Sequence, residues 1–132
     1  MKANIIHWSS VKCKRVTRSV LASELYGTVH GFDISVAIKT IVDKILQTTI
    51  PLVVATDPQS LYDCLVRLGT TQEKRLIIDV MGLRQAYERR LITDIKWISG
   101  DANPADAMIK GKPCTALQRL IDTNLVNLEI VR

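Results

Sequence analysis

The stretch PLVVATDP, residues 51–58, carries the fold. Pro51 opens a continuous apolar run rich in β-branched residues, the pattern of a strand buried on both faces. The run stops at Asp57-Pro58, and proline is tolerated in the first turn of a helix, so the strand is expected to lead directly into one. That helix is read over Gln59–Leu68, with Leu61, Leu65 and Leu68 on one face and Gly69 as its stop. Downstream, residues 73–90 (EKRLIIDVMGLRQAYERR) carry Leu76, Ile77, Val80, Leu83 and Tyr87 at helical spacing. Ile92–Ile98 alternates, with Leu91, Ile95 and Trp97 on one side and Asp94 and Lys96 on the other, which predicts a half-exposed strand. The segment GDANPADAMIKGKP then turns into a last helix near 115–124, followed by apolar residues 125–131.

Upstream, residues 34–46 repeat Ile34, Ala37/Ile38, Ile41/Val42 and Ile45 around an amphipathic helix with Lys39, Asp43 and Lys44 outside. Leu21, Leu25, Val29 and Phe32 continue helical spacing towards a start near Arg18, where Thr17 or Ser19 could cap. Gly27, Gly31 and a bend near Gly31–Asp33 leave one long helix or two equally open. Residues 4–9 (NIIHWS) read as a short strand. Strands alternating with helices predict an α/β domain with a mainly parallel sheet. No repeat or linker divides residues 1–132, so one domain is expected.

Bulk properties narrow the function classes. The chain is 132 residues long with net charge +5, which favours acidic partners, nucleic acid first. The densest basic cluster is Lys12, Lys14, Arg15 and Arg18; such runs are also ordinary solvated surface. No apolar run reaches the roughly 18–20 residues that span a bilayer. No secretory signal is read at the N-terminus. Cys13, Cys64 and Cys114 are odd in number and widely spaced, which suits neither a disulfide framework nor, with His7 and His30, a zinc site. A reducing, intracellular compartment, cytoplasmic or nuclear, is expected.

Three carboxylates fall at element ends. Glu24 lies on the helix after the first strand, Asp57 ends the apolar strand, and Asp106 opens the segment before the last helix. Ligands of open α/β sheets gather at the carboxyl ends of strands. Three converging acids would suit a hard divalent ion, and paired ions of that kind cleave phosphodiesters. Each acid also has an ordinary reading: Asp57 as a helix cap, Asp106 as a first-turn dipole partner, Glu24 as a solvated glutamate. Spacing alone leaves both readings open.

Four stretches in order add to this. IIHWSSVKCKRVTRSVLASELYG (5–27), VVATDPQSLYDCL (53–65), KRLIIDVMGLRQAYERRLITDIKWI (74–98) and SGDANPADAMIKGKP (99–113) together resemble the ribonuclease H domain that ends copia-type LTR retrotransposon polyproteins. The resemblance implies a ribonuclease H-like mixed sheet with helices on its faces. It implies two-metal hydrolysis of the RNA strand of RNA–DNA hybrids with Mg²⁺ or Mn²⁺. It assigns Glu24, Asp57 and Asp106 as catalytic and metal-binding carboxylates, and it sets Lys12, Lys14, Arg15 and Arg18 beside the nucleic-acid channel.

The chain departs from the family pattern in two ways. It begins at what would be the family's third strand, lacking the first two strands and the aspartate the first one carries. Ile109-Lys110 stands where a Thr-Lys pair is usual. Asp33, Asp63, Asp79 and Asp101 are candidate substitutes for the fourth acid, Asp101 foremost because it shares a loop with Asp106. Weak or absent turnover by the isolated chain follows, and a domesticated, non-catalytic protein- or nucleic-acid-binding module is the rival reading. The missing strands would leave the edge of residues 51–57 open. Residues 4–9, a second copy or a separate partner chain is expected to cover it.

Overall fold

The computed structural model describes residues 1–10, 20–66, 74–105 and 114–131. Its elements, in chain order, are α1 (Val20–Leu46), β1 (Val53–Thr56), α2 (Gln59–Leu65), α3 (Ile77–Glu88), β2 (Asp94–Trp97) and α4 (Thr115–Thr123). Single 3₁₀ turns at Lys74–Leu76 and Gly100–Ala102 precede α3 and follow β2. The described residues form a mixed α/β arrangement of four helices and one two-stranded parallel sheet.

The sheet is smaller than the sequence suggests. β1 and β2 pair in parallel, from Val53 opposite Asp94 to Thr56 opposite Trp97. Thr93 N–H donates to Leu52 O at 2.7 Å and Ile98 N–H to Thr56 O at 2.9 Å, closing the ladder at both ends. On the far side of β2, an antiparallel bridge joins Ile98 to Ile130. β1 has no strand on its other edge among the described residues, and the expectation of burial on both faces is corrected by one exposed face. Val53 and Ala55 are exposed and Thr56 is buried. Residues 4–9 are not a strand either. The N-terminus is held one step earlier, where Lys2 bridges Leu125, Ala3 N–H donates to Asn124 O and Val126 N–H to Met1 O. β-propensity needs a neighbour to become a strand, and among the described residues no strand lies beside these.

α1 resolves the alternative left open by its glycines: it is one unbroken helix of 27 residues. Neither Gly27 nor Gly31 has a heavy atom within 4 Å of where a Cβ would stand. They therefore cost helix propensity without serving a close contact. The core joins Ala22 and Leu25 of α1, Leu61, Cys64 and Leu65 of α2, Leu76 before α3, Val80, Leu83 and Ala86 of α3, and Ile92 and Ile95 around β2. Leu83 and Val80 follow the expected helical face, but Ile77, one turn earlier, is 40% exposed. Leu91 is also exposed, while Ile92, the residue after it, is sealed in the core.

Three helices end on a residue with positive φ: Gln47 after α1, Arg90 after α3 and Asn124 after α4. Left-handed backbone at that position satisfies the last carbonyls and reverses the chain. Arg90 N–H thus returns to Tyr87 O, and Leu91 N–H to Ala86 O, which aims the chain into β2. At the end of α1, Thr48 N–H returns to Asp43 O at 3.2 Å, and the Asp43 side chain adds a second tie. Its Oδ2 accepts from Lys39 Nζ and its Oδ1 accepts from Ile50 N–H at 2.8 Å, fixing the approach to β1. The Lys39 hydrogen bond, with the Ile50 amide, holds the Asp43 carboxyl below its ordinary value. The expected caps Thr17 and Ser19, and the Leu68-Gly69 stop of α2, lie outside the described residues.

Candidate functional site

Asp57 follows β1 directly, half-buried, as the sequence requires of a strand-end acid. Its carboxylate does not cap α2: the cap position is Pro58, with no side-chain hydrogen bond. Instead it turns towards the loop that follows β2. Asn103 Nδ2 donates to Asp57 Oδ2 at 3.2 Å. The nearest heavy atom to a Cβ built on Gly100 is that same Oδ2, at 3.8 Å. The Asp57 backbone is held as well, since Trp97 Nε1–H donates to its carbonyl at 3.0 Å. The ends of the two parallel strands therefore converge through side chains, and Gly100 and Asn103 of the loop after β2 meet Asp57 at the end of β1.

The loop itself is ordered by Asn103. Its Oδ1 accepts from Ala105 N–H at 3.0 Å, an Asx turn of the kind Asn-Pro sequences favour. Its carbonyl accepts a long 3.7 Å contact from Cys114 Sγ at the start of α4. In the sequence Asn103 is one residue of the turning segment GDANPADAMIKGKP, and Trp97 one member of an apolar face. The available signal was the Asn-Pro pair three residues before an acid, after a strand ending in tryptophan.

Glu24 is half-buried on α1 between the fully buried Ala22 and Leu25, and its carbonyl accepts from Thr28 Oγ1 at 2.8 Å. Asp106 and the basic residues Lys12, Lys14, Arg15 and Arg18 lie outside the described residues. Of the proposed substitutes, Asp33 on α1 and Asp101 in the 3₁₀ turn are exposed, while Asp63 on α2 and Asp79 in the first turn of α3 are half-buried. Among the described residues, no group of three or more His, Cys, Asp or Glu could hold a metal ion.

Beside this site runs an apolar groove of about 640 Å³. Gly27, Gly31, Ile34 and Ile38 of α1, Leu52 before β1, Leu117 and Leu120 of α4, and Ile5, Ile6 and Trp8 line it. Its end reaches Pro104 and Ala105, next to Asn103. Ile6 and Trp8 remain 76% and 68% exposed, so the N-terminal segment flanks the groove without filling it. Cys64 has no part in either feature: it is buried on α2, and desolvation pushes its thiol up from the ordinary value. Among the described residues no helix is long and apolar enough to cross a membrane. A scan against protein-family models, a search of curated proteins and a search of solved structures each return no match.

Proposed function

We propose that this chain is a ribonuclease H-like domain of retroelement origin, built for hydrolysis of the RNA strand of an RNA–DNA hybrid. The observation that carries the reading is the contact of Asp57 with Asn103, which joins the two segments assigned an acid each by the resemblance. Glu24, Asp57 and Asp106 would supply the carboxylate oxygens that hard divalent ions prefer. Bound Mg²⁺ or Mn²⁺ would supply Lewis acidity towards the attacking water and the leaving oxygen. The chain's own contribution is to hold Asp57 at a strand end by main chain and side chain together. Lys12, Lys14, Arg15 and Arg18 would contact phosphates, so hybrid binding should fall steeply with added salt. No residue here matches the first-strand aspartate of the family, and turnover by the isolated chain is expected to be weak or absent.

The test is calorimetric titration of Mn²⁺ and Mg²⁺ into the wild-type chain and Asp57→Asn, with hybrid cleavage assayed in the same samples. Binding and cleavage that both disappear in Asp57→Asn support the assignment. A wild-type chain that neither binds ions nor cleaves hybrid overturns it.

The edge of β1 that no strand pairs among the described residues, with the apolar groove, favours a second reading, a domesticated binding module whose partner chain or second copy covers that face. Solution mass separates the two. A monomer without ion binding favours the module. An assembly that binds ions and brings a fourth acid to the site favours the enzyme.

A further inference from the structure

We infer that Asn103 is a positioning residue that fixes the orientation of the Asp57 carboxylate; the inference rests on the assignment of Asp57 to the proposed site. An amide side chain has one accepting and one donating end. The Ala105 N–H, which can only donate, claims Asn103 Oδ1 and thereby settles which way the amide faces. Nδ2 is then left to donate, and it donates to Asp57 Oδ2. Rotation of the carboxylate is fixed by this contact, while the Trp97 indole fixes the Asp57 main chain from β2. Asp57 is thus held by two elements that are remote from it in sequence. The same residue that ends the turn before Asp106 in the chain also aims the acid at the end of β1. Groups in this relation to metal-binding carboxylates set the affinity of the site without touching the ion.

The contact distinguishes an amide from a carboxylate. Asn103→Asp would face Asp57 with a second negative charge, and a pair of carboxylates this close resists joint ionisation. The swap variant Asp57→Asn/Asn103→Asp would rebuild the hydrogen bond with donor and acceptor exchanged.

The experiment uses the full chain at neutral pH. Thermal unfolding is expected to show Asn103→Asp lowered by roughly 3–6 °C, with the swap variant restored to near the wild-type midpoint. A single variant as stable as wild type, or a swap no better than it, overturns the contact. Mn²⁺ titration of Asn103→Ala is expected to show affinity weakened by about 10–100-fold with circular dichroism unchanged. Affinity equal to wild type overturns the positioning role. If the wild-type chain binds no Mn²⁺, the site assignment and the positioning of a metal ligand fall together, and the thermal comparison still decides whether Asn103 holds Asp57.

Discussion

The two halves of α1 behave oppositely. The first half carries two glycines and the weaker periodicity, yet Ala22 and Leu25 are completely buried against α2 and α3. The second half has the cleaner amphipathic repeat, yet Ile41, Ile45 and Leu46 are 60%, 72% and 58% exposed. Periodicity therefore reports helix formation faithfully and burial only conditionally. A stripe of isoleucines prepares a face; another element must arrive to cover it. The buried residues of α1 pack with α2 and α3, and the groove opens over Gly27 and Gly31, where a Cβ would meet no heavy atom within 4 Å. Apolar faces left open in this way are commonly interaction surfaces.

Substitutions along α1 can break that contrast. Leu25→Ala removes a completely buried side chain, and chemical denaturation should register a loss of about 2–5 kcal/mol. A loss under 1 kcal/mol would mean that the first half is not the packed one. Gly31→Ala should go the other way, stabilising by roughly 0.5–1 kcal/mol, because alanine suits a helix better and its Cβ meets no neighbour. Destabilisation there would show that something already packs against the groove. At the far end, Ile45→Ser should leave stability within about 0.5 kcal/mol of wild type. A larger loss, especially one that grows with protein concentration, would show that a second molecule covers this half.

The end of α1 adds a pH dependence of known sign. The Asp43 carboxyl sits below its ordinary value of 3.8 in the folded chain, through Lys39 first and the Ile50 amide second. Its contribution is present above that ordinary value and is lost as pH falls below it, through the lowered folded value. Acid titration of stability should therefore be shallower in Asp43→Asn than in wild type across that window. Parallel curves would show that the contacts of Asp43 with Lys39 and the Ile50 amide do not form in solution.

Element type was largely legible in the sequence, and so was Asp57 at a strand end. α2, α3, β2 and α4 fall within a few residues of where apolar spacing, Pro58 and the turning segment GDANPADAMIKGKP put them. These signals are local: a period of 3.6 or 2, a proline, a turn former. The role of Asn103 was not legible, because its partner lies 46 positions away and an Asn-Pro turn looks the same whether or not its amide has a distant acceptor.

The sequence by itself determined the order of helices and strands from β1 onward, the basic balance of the chain and the acid at the end of β1. Only the tertiary structure decided that the sheet has two strands among the described residues, that residues 4–9 join neither, and that α1 buries Ala22 and Leu25 but leaves Ile41, Ile45 and Leu46 exposed. The physical reason is the range of the forces. Backbone preference acts within a few residues, whereas strand pairing, burial and the hydrogen bond between Asn103 and Asp57 each need a partner that only the folded chain brings close.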